Sequence, residues 1–210
     1  MKPQKLKSKK RDTIGRILDT AAEVFSKVGF AGARMDDIAK RAGVNKATIY
    51  YHIGNKETLY ARVLHEHFAS AGDTFDRVLQ QAESPEKKLS LYIHQIAGVL
   101  NQNPHKAVMM LREIAAGGEN FPDIVARDLA LIVNKLAGIL AEGEKEGCFI
   151  SASPISVHFL VIGALLLYKV GAPVRAKFAQ IAEPLLSANA NEPDWFVDEI
   201  EKLVLRSLRP

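Results

Sequence analysis

Apolar residues recur at three- and four-residue spacing along nearly the whole chain, and no segment alternates with period two over β-branched residues. The pattern predicts an all-α protein. From Thr13 onward, Ile14, Ile17, Leu18, Ala21, Val24, Phe25 and Val28 form one helical stripe, which Gly29 stops. A second helix is expected from Met35 to Ala42, with Asp36 and Asp37 in the first turn where the helix dipole favours acids. A third is expected from Lys46 to Ile53. Gly54-Asn55 then breaks the pattern, and Asn55 is placed to cap a long fourth helix carrying Leu59, Val63, Leu64, Phe68, Phe75, Val78 and Leu79. Pro85, Pro104, Pro122 and Pro154 each stand near a helix start, where a missing N–H costs nothing. Gly117-Gly118, Gly147 and Gly171 mark expected ends. Further helices are expected near 85–101, 104–116, 121–146, 154–170 and 193–208, with a shorter piece around 174–181.

The segment Met35 to Lys56 spaces Ala39, Gly43 and Ile49 as a helix-turn-helix requires. Two helices that cross closely want a small side chain such as Ala39 at the crossing. Gly43 can take the positive φ that ends one helix and turns the chain. Asn45 can cap the next, and Ile49 points back into the core. Lys46, Ala47, Thr48, Tyr50 and Tyr51 remain outward, a surface of small, hydroxyl-bearing and basic groups suited to reading DNA.

Charge sharpens this picture. Residues 1–60 carry 13 Lys/Arg against 6 Asp/Glu, a net of +7, while the remainder carries 15 against 18. A basic first third on a mildly acidic body is expected where one end meets a polyanion. Residues 1–11, with Lys2, Lys5, Lys7, Lys9, Lys10 and Arg11, read as a disordered basic tail giving weak, non-specific help on DNA. Residues 12–55 then form the DNA-binding head and residues 56–210 the body. At 210 residues and 48% hydrophobic content, the chain can bury a substantial core. Its single cysteine, Cys148, fits a reducing cytoplasm and reads first as a small residue near a helix end. No secretory signal is apparent, and the greasiest run, Ile155 to Tyr168, is too short for a bilayer core of roughly 30 Å. A cytoplasmic protein without a membrane partner is expected.

The stretch Ile14 to Leu64, and within it FSKVGFAGARMDDIAKRAGVNKATIYYHIGNKETLYARVL, resembles the DNA-binding domain of tetracycline-repressor-like (TetR/AcrR) transcription regulators. The resemblance rests on Gly29-Phe30, Asp37-Ile38-Ala39, Ala42-Gly43-Val44, Ile49-Tyr50-Tyr51-His52 and Asn55-Lys56-Glu57 together. It implies that Lys46, Ala47 and Thr48 meet base edges in the major groove of double-stranded DNA. It implies that Tyr50, Tyr51, His52 and Lys56 mainly hold phosphates. Where many relatives place a Ser or Thr before the second helix, this chain reads Ala33-Arg34, so Arg34 either supplies a phosphate contact or extends into water. The resemblance further implies a helical ligand-binding body and a homodimer joined through its last two long helices.

The residues support that interface separately. Phe159, Ile162, Gly163 and Leu166 on one helix, and Trp195, Phe196, Ile200, Leu203 and Val204 on the other, leave little polar face, so a second cover is needed. A small-molecule effector pocket among the middle helices has Phe68, Phe75, Tyr92, His94, Met109, Met110, Glu113, Phe121 and Tyr168 as candidate lining. Arg112, His94 or Glu113 would orient a polar group. His65-Glu66-His67 cannot be one ligand pair, because residues two apart on a helix diverge. No metal, cofactor or catalytic motif is read, and an enzyme is not expected. The sequence thus points to a ligand-responsive, homodimeric repressor of a palindromic operator. The alternative is a DNA-organising or protein-partnered regulator without a ligand.

Overall fold

The computed structural model describes residues 3–79, 82–181 and 193–210, and their side chains outside 3–11, 67–74, 76–78, 178–181 and 193. Ten helices run through the described residues: α1 Pro3–Gly32, α2 Met35–Arg41, α3 Lys46–His52, α4 Lys56–Leu79, α5 Pro85–Gln102, α6 Pro104–Ala115, α7 Asp123–Lys145, α8 Pro154–Val170, α9 Ala172–Ile181 and α10 Pro193–Leu208. The protein is all-α, with an amino-terminal helix-turn-helix head and a carboxy-terminal helical body.

Most ends fall where the turn residues put them. Gly29 interrupts α1 with φ 74°, and Gly43 turns the chain between α2 and α3 with φ 64°. Asn45 accepts the Ala47 N–H at 2.8 Å and so caps α3, and Asn55 accepts the Thr58 N–H at 2.9 Å at the start of α4. One helix start differs from expectation. The α1 backbone starts at Pro3, well before Thr13, while the side chains expected to form the basic tail lie outside the described residues. Gly171 closes α8 with an ordinary φ of −78°, so that end needs no left-handed residue.

Two apolar clusters hold the chain. The first packs Ile17, Phe25, Ile38, Ile49, Leu59 and Leu64 of α1 to α4 around Ala39, and it also takes in Met109 of α6 and Val125 of α7. The second joins Phe75 of α4 to Tyr92 and Ile93 of α5, Leu136 of α7, Val161 and Leu165 of α8, and Val204 of α10. α1 packs on α6 as well as on α4, so the body holds the head through side-chain burial rather than by the continuous α4 alone.

Candidate nucleic-acid interface and body cavity

Within the head, the packing of α3 decides what it can present. Ile49 is fully buried and Ala39 nearly so, which seats α3 across α2 with one apolar anchor inward. Lys46, Ala47, Tyr50 and Tyr51 are exposed, Tyr50 at 49% and Tyr51 at 83%, with Thr48 and His52 half-buried beside them. Tyr51 and His52 lie edge-to-face with ring centroids 4.9 Å apart. Lys46 pairs with Asp36 of α2 at 2.9 Å, an exposed contact that raises its pKa through that hydrogen bond. A surface pair of this kind holds the ammonium weakly and leaves it free to exchange partners. Arg34 stands exposed before α2 and makes no side-chain cap there.

Lys56 has a different occupation from the phosphate contact expected of it. Its Nζ donates to the Ala33 carbonyl at 3.0 Å and the Ala31 carbonyl at 3.4 Å, and lies 4.5 Å from the centre of the Phe30 ring. Those contacts pin the start of α4 to the loop between α1 and α2, using a cation where carbonyls are otherwise unpaired.

The body holds a cavity of about 90 Å³ among α4 to α8. Of the expected lining residues, Phe75 and Met110 reach it; the rest of its wall includes Ile96, Leu100, Ile132 and Ile162. Two polar residues that sequence reasoning missed also line it, Lys106 and His158. His158 sits inside an apolar run on α8, where the pattern gives no sign that its ring meets a partner from α5. Burial lowers the pKa of both.

The other expected pocket residues are placed elsewhere. Phe68 lies outside the described side chains. Tyr92 is fully buried in the body core, with its hydroxyl 2.6 Å from His158 Nδ1. Met109 is buried on the opposite side of α6, in the head's cluster, and Phe121 packs against that same cluster. Glu113 is buried at the junction of head and body, accepting the Tyr60 hydroxyl at 2.7 Å and the Asn120 N–H at 3.2 Å. Tyr168 stacks on Phe196 with centroids 3.9 Å apart, and both sit by α10 rather than in the cavity. His94 is on the surface, 2.7 Å from Glu201 and 3.7 Å from Asp198 of α10. Arg112, considered as a ligand-orienting group, donates instead to the Ser26 and Lys27 carbonyls at 2.9 and 3.0 Å, satisfying the end of the long segment of α1.

The interface residues divide in the same way. Leu166 and Val204 are buried in the core of their own chain, so they cannot offer that surface to a partner. Phe159 and Leu203 are more than half exposed, as are Leu160 and Leu167 on α8. Ile162, Gly163, Trp195, Phe196 and Ile200 are partly buried at the margin of this face.

Comparison with known proteins agrees with this geometry. The family described as bacterial regulatory proteins, tetR family, matches residues 17–63, the segment that forms the head. The chain is 24% identical over 197 residues to the transcriptional regulator RutR of Escherichia coli (strain K12), covering 92% of this chain and 89% of that one. It is 27% identical over 202 residues to the transcriptional repressor NicS of Pseudomonas putida, covering 94% and 92%. The fold superposes on the fatty acid degradation regulator FadR of Bacillus halodurans with a TM-score of 0.73 at 21% identity, covering 94% of this chain and 96% of that one. The head matches the tetR family of bacterial regulatory proteins, and the chain as a whole is similar to transcriptional regulators of that family. Its homologues are regulators and not enzymes. Among the described residues, no helix is long and apolar enough to cross a membrane.

Proposed function

We propose that this protein is a homodimeric repressor that holds a palindromic operator and releases it when a small, largely apolar effector enters the body. The observation that carries the DNA part is the division of α3, with Ile49 fully buried beneath while Lys46, Ala47, Tyr50 and Tyr51 stand exposed and Thr48 lies half-exposed among them. Lys46, Ala47 and Thr48 would meet base edges, and Tyr50, Tyr51, His52 and Arg34 phosphates. The body proper, residues 56–210, would sense the effector and dimerise; residues 12–55 would bind DNA. The exposed apolar face of α8 and α10 supports the dimer, because a contiguous row of Phe159, Leu160, Leu167 and Leu203 in water is unfavourable unless covered. Two-fold symmetry would then place the two heads on half-sites about one helical turn apart. The relation to NicS, itself a repressor, supports repression over activation.

Helix α6 is the natural route from cavity to head. Lys106, Ala107, Met110 and Ile114 face the cavity, whereas His105, Met109, Arg112 and Glu113 hold α1 and α4. A ligand that rotates or shifts α6 would therefore move both supports of the head together, α4 included. A coupling of about 1–3 kcal/mol per site would suffice to lower operator occupancy.

Mobility-shift titration with operator and random duplexes tests the DNA reading. Tyr50→Ala should weaken both alike, while Thr48→Ala should chiefly change sequence preference. Unaltered binding by Tyr50→Ala would refute the assignment. Sedimentation of Leu167→Asp and Leu203→Asp tests the dimer, and a wild-type monomer at micromolar concentration would exclude it.

A further inference from the structure

The cavity has one polar feature whose chemistry can be worked out from its neighbours. Tyr92 is fully buried, and His158 Nδ1, at 2.6 Å, is its hydroxyl's one partner among the described residues. Burial raises the phenol's pKa above its usual range, so the hydroxyl keeps its proton. Burial also lowers the pKa of His158, keeping the ring neutral at neutral pH. A neutral imidazole has one N–H and one bare nitrogen. The buried O–H must donate, Nδ1 is the acceptor within reach, and the ring proton therefore resides on Nε2. Nε2 has no hydrogen-bond partner among the described residues. The residue keeps 5% of its surface exposed. The opening that its ring lines is the cavity, whose wall is otherwise almost wholly apolar.

We propose that this cavity takes a neutral, slender aliphatic carbonyl compound, such as a simple ester or ketone, with His158 Nε2–H donating to the carbonyl oxygen. The chain would lie along Phe75, Leu100, Met110 and Ile132. The volume, about 90 Å³, is that of roughly three waters at ~30 Å³ each, which limits the ligand to a short, unbranched chain. A neutral donor favours an uncharged acceptor, since a carboxylate would leave its hydration for one hydrogen bond in an apolar wall. Lys106, which lines the same cavity, is the group that would favour an anion instead. The proposal rests on the reading that this cavity is where the effector binds.

Isothermal titration of the full-length protein at pH 7.5 with methyl propanoate and with propanoate tests it. The ester should bind about tenfold more tightly than the anion, and His158→Phe should lower ester affinity by about the same factor. Tyr92→Phe, a smaller change, should lower it a few-fold by freeing Nδ1 to compete for the ring proton. Nitrogen-15 NMR of the wild type should show His158 as the Nε2–H tautomer. Equal or tighter binding of propanoate, no binding of either, or an Nδ1–H tautomer would each overturn the proposal. So would unchanged ester affinity in a folded His158→Phe protein. Operator release is measured separately. Ester binding without release would sink the effector reading and leave the cavity chemistry standing, whereas release by another compound class with no ester binding would do the reverse.

Discussion

In the head, short helices meet at turns whose chemistry is local: Gly29 and Gly43 supply positive φ, and Asn45 and Asn55 cap α3 and α4. In the body, long helices meet side to side, and the arrangement is decided by which residue faces which neighbour. His158 meets Tyr92 across 66 residues of sequence, and Lys88 of α5 meets Glu142 of α7. Local rules act within a few residues and can be read along a chain. Side-to-side choices depend on the register between helices, which a hydrophobic stripe leaves open. The two regions nevertheless share a core, because Met109 and Val125 complete the head's cluster from the body side.

The strongest way to break the comparison is to ask whether the head is a separate unit at all. Ile49→Ala empties a fully buried site in the head and should cost about 2–5 kcal/mol. Because the head's cluster includes α6 and α7, urea denaturation should show one transition, shifted as a whole, by both circular dichroism and fluorescence of Trp195. Two separate transitions, with Trp195 unaffected, would mean that the head folds alone and that α6 is a poor route for a signal.

A glycine in the body gives the next effect. Gly143 is an ordinary helical position by sequence, yet a Cβ built there would lie 2.1 Å from the Phe149 ring. Gly143→Ala must push that buried ring aside, at about 1–3 kcal/mol, readable as a lowered melting temperature with DNA binding by the head retained. An unchanged melting temperature would mean that Phe149 repacks freely.

These two positions show how far the sequence is legible. The spacing from Ala39 and Gly43 places Ile49, and with it the buried and exposed sides of α3. Gly143 carries no such signal, since Phe149 returns onto it only after a turn at Gly147 that fixes its direction. The helix boundaries are mostly readable for the same local reason, proline at starts and glycine or asparagine at turns. The pocket is not. Met109 and Met110 are adjacent and both apolar, but Met109 is buried within the head's cluster, whereas Met110 packs against its edge and also lines the cavity. Glu113 and Arg112 look like ligand-orienting groups because charge in an apolar stretch invites that reading. Their partners, Tyr60 and the end of α1, lie far off in sequence. Lys56 likewise has contacts that its neighbours in sequence do not announce, its carbonyl partners being more than twenty residues away.

The junction offers a sharper, smaller test. Tyr60→Phe removes the hydroxyl that Glu113 accepts and leaves a buried carboxylate with the Asn120 N–H as its remaining partner. The expected loss is about 1–3 kcal/mol, with Glu113→Gln milder because an amide oxygen still accepts from Tyr60. If α6 couples the two regions, Tyr60→Phe should also change operator affinity although it lies away from α3. Lost stability with unchanged operator affinity would confine Tyr60 to packing.

The smallest effect belongs to protonation of His158, and its sign is set by burial. The folded-state pKa lies below the ordinary value of 6.5, so between the two the unfolded chain binds a proton that the folded chain does not. The stabilisation is therefore complete above about 6.5 and is lost as pH falls toward the folded value. The groups around the ring give no compensation: Tyr92 is neutral, Phe75 and Phe159 are apolar, and Lys106 on the same cavity is a cation that opposes a second positive charge. The difference between wild type and His158→Phe isolates the contribution of this ring. Denaturation from pH 7.5 to 5.5 should show the wild type losing stability faster than the variant, whereas parallel curves would mean that the ring reaches water through the cavity.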